Sequence, residues 1–403
     1  MSEVINDLKT LVESWQFSRK AVEQKSSIIR EILKDSSKPG VINFGGGLPA
    51  PDLFPLELIK QSCENVIRDH GTLALQYSLT TGVQELKELI ARRYTSQGVE
   101  VTPEEVQITG GSQQGLDVIG RVFLEPGAVV LTETPTYLGM LQAFTFYGTK
   151  YVSVDTDENG VIPEDLEAKV KKFNPRLIYL VATFQNPTGI TISDDRRQKI
   201  VEIAQKYNIP VIDDNPYGEI RFAGKEVKPL KYYGKEHVIE LGTFSKLVSP
   251  GLRIAWIVSN PYVQPIIERM KQAMDLHTNT FAQYVIADFA SRGHLEPHIE
   301  KIKKAYGQRR NHMIKMLEKY LGDKAQWTTP EGGLFLWIKL RDHISATEML
   351  PKAIQAKVAY VPGKFFFSAE QDDSTMRLNF CNATEENIEE GIRRLANVVE
   401  SIS

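Results

Sequence analysis

The sequence predicts an α/β fold: a large part with a mainly parallel sheet flanked by helices, plus a smaller α+β part. Three observations predict it. From about residue 100 to about residue 260, short β-rich runs alternate with amphipathic segments, as repeated strand–helix units require. One run, Leu177-Ile178-Tyr179-Leu180-Val181-Ala182, is apolar at every position, as expected of a strand covered on both faces. After about residue 290 that rhythm stops and a long helical stretch leads into a different mixture of elements.

Much of the first forty residues reads as helix, most clearly where Ile28, Ile29, Ile32 and Leu33 recur at helical spacing. Pro39 and Gly40 end it, and the loop Phe44-Gly45-Gly46-Gly47-Leu48-Pro49 follows. Strands are expected at 106–109, 129–132, 151–154, 177–183, 211–213, 238–241 and 254–259, with helices such as 194–207 between them. Residues 298–320 form the long helix. Strands at 332–340, 358–361 and 376–380 and a closing helix near 385–399 complete the chain. Residues 1–50 are expected to supply an N-terminal arm and part of a small domain, 51–290 the large domain, and 291–403 the rest of the small one.

Among the 403 residues, 42% are hydrophobic and 25% charged, proportions that exclude a collagen, a disordered tail or a coiled-coil rod. Lys+Arg (48) nearly balances Asp+Glu (51), and no basic block exists to attract nucleic acid or a membrane surface. Cys63 and Cys381, the only two cysteines, make no disulfide framework and suit a reducing compartment. Glu3, Asp7, Lys9 and Glu13 interrupt any signal-peptide pattern, and no apolar run approaches the roughly 18 residues of a membrane span. A soluble, cytoplasmic protein is expected.

Four features carry the chemistry. Thr109-Gly110-Gly111-Ser112-Gln113-Gln114-Gly115 follows a strand and opens a helix, so its free N–H groups and dipole end favour an anion. Taken alone it reads as a serine-capped helix start. Gln185-Asn186-Pro187-Thr188-Gly189 follows the apolar strand; it is a good turn, and it also places an amide at a strand's carboxyl end. Asp213-Asp214-Asn215-Pro216-Tyr217 ends another strand with two acids, one expected to cap the strand end or face water and the other able to accept a hydrogen bond from a cationic ring nitrogen. Thr243-Phe244-Ser245-Lys246, then Pro250-Gly251-Leu252-Arg253, offers a Schiff-base lysine between hydroxyls and an arginine suited to phosphate. All four lie at strand ends, where parallel sheets bind ligands. Together they describe a pyridoxal phosphate site.

These residues, with Gln76-Tyr77, Pro135-Thr136-Tyr137 and Met376-Arg377-Leu378-Asn379-Phe380-Cys381-Asn382 in the same order along the chain, resemble the fold-type I pyridoxal-phosphate aminotransferases of class I/II. Within them the chain is most similar to the 2-aminoadipate, kynurenine and aromatic amino acid group, over nearly its whole length. The resemblance implies that Lys246 bonds the cofactor covalently and Asp214 pairs with its ring nitrogen. Asn186 and Tyr217 would meet the phenolic oxygen, and Tyr137 would stack on the ring. Ser112, Gln113, Thr243, Ser245 and Arg253 would hold the phosphate. Tyr77 would reach the phosphate of a neighbouring subunit, implying a homodimer with shared sites. Arg377 would grip the substrate α-carboxylate, helped by a backbone N–H near Gly46 or Gly47. The bonds before Pro135 and Pro187 would be cis.

By the same resemblance, the activity would be ping-pong transamination from an L-amino acid to a 2-oxo acid such as 2-oxoglutarate. No metal is implied. Thr243 stands where relatives often carry serine and keeps the hydroxyl. Arg19 matches either an N-terminal arginine that some relatives place on the substrate's distal carboxylate or a solvated helix arginine. Aromatic residues such as Tyr137 and the run Phe365-Phe366-Phe367 suit apolar donors at an entrance, or a core. The alternatives are a β-lyase, decarboxylase or racemase on the same scaffold. The effector domain of a transcription regulator is disfavoured, because the glycine loop near residue 45 leaves no room upstream for a DNA-binding unit.

Overall fold

The central sheet of the computed structural model has seven strands: β1 (Val106–Thr109), β2 (Val129–Glu133), β3 (Lys150–Val154), β4 (Leu177–Leu180), β5 (Val211–Asp214), β6 (Val238–Thr243) and β7 (Ala255–Val258). Their spatial order is β1-β7-β6-β5-β4-β2-β3. Neighbours run parallel except around β7, which is antiparallel to both β1 and β6. The structure describes residues 39–341, 344–369 and 371–402, together with Val12 and residues 15–23. The helix expected around Ile28 to Leu33 lies outside the described residues.

The all-apolar run of β4 has a direct cause. Leu177 and Tyr179 enter one apolar cluster with Leu116, Ile212, Leu241 and Ile257. Ile178 and Leu180 enter the cluster on the opposite face with Leu131, Ile200, Ala204 and Val211. Successive side chains point to opposite faces, so a strand covered on both must be apolar throughout. Helix α1 (Ser112–Phe123) covers the first face beside α2 (Leu138–Thr145), and α3 (Asp194–Tyr207) covers the second. Asp194 and Asp195 complement the dipole at the start of α3, Lys206 its end, and Asn208 stops it in the left-handed conformation at φ 52°.

The strand expected over 177–183 ends at Leu180. Beyond it the Val181 N–H donates to Glu133 Oε2 at 2.7 Å and the Ala182 N–H to Asp213 Oδ1 at 3.3 Å. Acid side chains at two strand ends thus take over the ladder's donors, and the chain leaves the sheet. The same edge carries the ends of β5 and β6, so four connections open side by side at the carboxyl ends of parallel strands.

A second sheet has the order β8 (Ala325–Trp327), β9 (Phe335–Leu340), β11 (Thr375–Asn379) and β10 (Val361–Pro362), all antiparallel. Helices α4 (Gln264–Asp275), α5 (Leu295–Tyr320) and α6 (Glu385–Glu400) complete the elements used below. The pair Ile42–Asn43 joins Val358–Ala359 in parallel, and the Asn379 N–H donates to the Phe44 carbonyl at 2.8 Å. The glycine loop is thereby fixed to β11, facing the edge of the central sheet. Among the described residues no helix is long and apolar enough to cross a membrane.

Candidate active site

A cavity of about 840 Å³ opens at this edge, lined by Ser112, Tyr137, Asn186, Asp214, Lys246 and Arg377 among others. Asp213 and Asp214 end β5, and the period of two sends them to opposite faces. Of the two roles expected for one of these acids, a cap or a solvated end, the structure shows the cap: both are buried, because helices and loops cover both sides of β5. Asp213 accepts from the Ala182 N–H beneath the sheet. Asp214 lines the cavity; its Oδ2 accepts the Tyr179 hydroxyl at 2.8 Å, and its Oδ1 has no partner. Burial raises its carboxyl to about 7; the Tyr179 hydrogen bond opposes the rise and the charge of Asp213 adds to it.

Gly111, at φ 101°, is the cap of α1, and Ser112 is its first helical residue. The serine therefore does not cap the helix as the plain sequence pattern allows. Its Oγ is buried without a partner and lines the cavity. The first N–H groups of the helix have no intrahelical acceptor. Arg253, held at φ 56°, donates through Nη2 to the Gly110 carbonyl at 3.2 Å and through Nη1 to the Pro250 carbonyl at 3.3 Å. A Cβ on Gly111 would stand 2.0 Å from that Nη2, so only glycine admits the guanidinium here. The Ser245 N–H donates to Thr243 Oγ1, which donates in turn to Ser245 Oγ, each at 3.0 Å. Gln113 also lines the cavity, its amide on the Gly139 carbonyl at 3.1 Å. The result is a cup of hydroxyls, helix N–H groups and one guanidinium.

Next to the cup's Ser245 in the chain, Lys246 donates through Nζ to the Gly47 carbonyl at 2.8 Å. Burial lowers this amine to about 8, and the positive charges of Arg377 and Arg253 add to the lowering. Asn186 Nδ2 faces the Tyr217 hydroxyl at 3.4 Å. The peptide bonds before Pro135 and Pro187 are both cis, as the resemblance implied. Gln185 joins the two loops, donating to the Pro135 carbonyl at 2.7 Å and accepting from Thr188. Arg377 is 1% exposed, and its guanidinium lies 4.1 Å from the Phe335 ring centre and 5.0 Å from that of Phe366. It donates to Asn186 Oδ1 at 2.8 Å and to the Gly45 carbonyl at 2.6 Å, leaving Nε unpartnered. The cavity wall includes Tyr137, whose phenol burial raises to about 12.

Gly47 lines the cavity, and the Gly46 carbonyl accepts from Asn379 at 2.6 Å. Of the two alternatives for the run Phe365-Phe366-Phe367, Phe366 takes the core: it is fully buried beneath Arg377. Tyr77 lies outside this cavity, 79% exposed, its ring perpendicular to that of His277 with the centroids 5.8 Å apart. Arg19 begins a short helix, Arg19–Glu23, but its side chain lies outside the described residues.

Three contributors were not anticipated. Tyr179 counted as one more apolar residue of β4, although its hydroxyl was the available signal. Asn379 holds the Gly46 and Leu48 carbonyls. Gln114 accepts the Gly110 N–H at 2.6 Å and donates to Asp275 at 2.7 Å, and the buried Lys271 donates to the same Asp275 at 2.5 Å. That chain of bonds ties the turn before α1 to α4.

The site fits pyridoxal phosphate. An unpartnered carboxylate oxygen (Asp214), an unpartnered hydroxyl (Ser112) and an unpartnered guanidinium N–H (Arg377) are all buried at one cavity, each awaiting an acceptor or donor. The comparisons agree. The family model for aminotransferase class I and II matches residues 39–395. The aromatic-amino-acid aminotransferase 1 of Thermococcus litoralis is 42% identical over 394 residues, covering 95% of this chain and 94% of that protein. The crystal structure of the kynurenine aminotransferase of Pyrococcus horikoshii, in complex with PMP, KYN and KYA, matches with a TM-score of 0.92 at 41% identity over 97% of this chain and 98% of that one. LysN, the alpha-aminoadipate aminotransferase of Thermus thermophilus, complexed with N-(5'-phosphopyridoxyl)-L-leucine, matches with a TM-score of 0.90 at 35% identity over 96% of this chain and 97% of that one.

Proposed function

The chain belongs to the aminotransferase class I and II family with pyridoxal phosphate as its cofactor, and we propose that it moves an amino group from an L-amino acid to a 2-oxo acid such as 2-oxoglutarate in two half-reactions at one site. The donor is 2-aminoadipate, an aromatic amino acid, or one of a broad range. A single observation carries this: Lys246, Asp214, Asn186 and Arg377, distant in sequence, line one cavity beside the cup at Ser112.

When bound, the cofactor's conjugated ring supplies a sink for the electron pair left as the amino acid's Cα–H bond breaks. Lys246 would hold the cofactor covalently until the amino acid displaces it. Its amine, neutral in a large fraction of molecules near pH 8, would then take the Cα proton as base and, as acid, deliver it to the carbon that was the cofactor's aldehyde carbon, so that hydrolysis leaves the amino group on the cofactor and frees the 2-oxo acid. Asp214 would accept from the ring nitrogen through its free Oδ1. Asn186 and Tyr217 would hold the phenolic oxygen, and Tyr137 the ring face. Ser112, Gln113, Thr243, Ser245 and Arg253 would hold the phosphate.

Arg377 has Nε–H and one hydrogen on each terminal nitrogen left for the substrate α-carboxylate, which it would orient with backbone help at Gly46 and Gly47. The homodimer is supported by the exposed Leu73, Leu75, Tyr77 and Leu79, an apolar strip with Tyr77 free to reach a neighbouring phosphate. We divide the chain into a large part, 51–290, and a small part formed by 1–50 with 291–403. The pairing of Ile42–Asn43 with Val358–Ala359 supports that division.

The test is a panel of amino donors incubated with 2-oxoglutarate and holoenzyme, followed for glutamate and the new 2-oxo acid in equal amounts. Release of ammonia or carbon dioxide without glutamate would replace this reading with a lyase or a decarboxylase.

A further inference from the structure

We propose that Tyr179 is a positioning residue for the reaction, its hydroxyl holding Oδ2 of Asp214 so that Oδ1 faces the cavity and the proton stays on the cofactor's ring nitrogen. The inference rests on the proposal that Asp214 meets that nitrogen. Tyr179 pairs with Ile212 across β4 and β5, and Asp214 lies two residues beyond Ile212 on the same face. The two side chains are thus diagonal neighbours, and both are buried. The ring of Tyr179 is wedged edge-on against Phe144 of α2, with centroids 6.1 Å apart, so its hydroxyl points one way. That hydroxyl donates to Oδ2 at 2.8 Å, while Oδ1 has no partner.

Asp213 on its own strand, Tyr179 on β4, Tyr137 at the start of α2 and Tyr217 beyond β5 act on Asp214, and Lys246, Arg253 and Arg377 line the same cavity; among the described residues no cation is hydrogen-bonded to its carboxylate. A buried carboxylate without a donor is a strong base and draws a shared proton to itself. The charge-assisted bond from Tyr179 spreads the negative charge and weakens that pull. It also fixes which oxygen is free. A neutral Asp214 beside an unprotonated ring would leave the electron sink weak, so the hydroxyl acts on the reaction while touching no reacting atom.

The experiment uses holoenzyme loaded with cofactor labelled with nitrogen-15 in the ring, read by NMR, alongside kcat, KM and the cofactor Kd. Tyr179→Phe should move the ring signal toward the unprotonated value, raise the cofactor Kd, and lower kcat about tenfold or more with KM for the amino donor changed less than about threefold. Site-specific replacement of Tyr179 by 3-fluorotyrosine, a stronger donor that keeps the hydroxyl, should move the signal the opposite way, and it serves as the test if the phenylalanine variant fails to fold. A ring signal unmoved by the fluorinated side chain, or by a folded Tyr179→Phe, overturns the proposal. Asp214→Asn separates the two levels. If it shifts the signal and the Tyr179 changes do not, only the role of Tyr179 falls; if Asp214→Asn itself leaves the nitrogen protonated, the assignment of Asp214 falls.

Discussion

Arg377 Nη1 donates to Asn186 Oδ1 across 2.8 Å, although 191 residues separate the two in the chain. The bond joins β11 of the smaller sheet to the loop after β4 of the larger one. Beneath it the Phe335 and Phe366 rings hold the guanidinium by cation–π contact. The residue proposed to hold the substrate's carboxylate and the residue proposed to hold the cofactor's oxygen are therefore one hydrogen-bonded unit. A shift in either displaces both, which couples substrate seating to cofactor seating.

Arg377→Ala should lower kcat/KM for every 2-amino acid, whatever its side chain, by about 3 kcal/mol or roughly 10²-fold. Steady-state kinetics over aromatic, aliphatic and dicarboxylic donors checks this. Loss confined to dicarboxylic donors would mean that the arginine reads the side chain instead.

Asp214 makes the cofactor-free protein pH-sensitive. Its folded pKa of about 7 lies above the ordinary value of 3.8, so between those values the folded chain keeps a proton that the unfolded chain has lost. Stability therefore falls as pH rises through this window, by on the order of 1–4 kcal/mol for this group. Asp214→Asn cannot ionise. Without cofactor it should melt higher than the parent at pH 8 and similarly at pH 4, while binding cofactor more weakly. A lower Tm for the variant at pH 8 would contradict the argument.

The amine of Lys246 should titrate apart from the other lysines. Burial and the charges of Arg377 and Arg253 lower it to about 8. In the cofactor-free protein, the rate of covalent capture by pyridoxal phosphate should rise with pH to a midpoint near 8. Lys246→Ala should abolish that phase and cut transamination about 10³-fold or more. A midpoint above about 10, the range of a solvated lysine, would show the amine to be exposed.

Gly111→Ala should act on cofactor affinity before it acts on the fold. A Cβ there meets Arg253 Nη2 at 2.0 Å, and the backbone sits at φ 101°. The strain is roughly 1–2 kcal/mol, and Arg253 must leave the cup to relieve it. The cofactor Kd should rise about tenfold, with kcat at saturating cofactor nearly preserved. An unchanged Kd would remove Arg253 from the proposed phosphate site.

The sequence by itself determined the α/β class, because short apolar runs such as the one that opens at Leu177 alternate with amphipathic helical segments, and that rhythm calls for strands covered on both faces. It also determined which short segments carry Lys246, Asp214, Asn186 and Arg253, since glycines, prolines and polar residues at strand ends are locally distinctive. It did not reveal Tyr179, whose ring satisfied the apolar pattern while its hydroxyl carried the chemistry. Only the tertiary structure decided that Asp213 turns under the sheet and Asp214 into the cavity, that Gln114 and Asp275 brace the cup, and that Arg377 meets Asn186. Periodicity records which way a side chain points along one element, whereas these pairings depend on how separate elements are packed, and no local pattern encodes that.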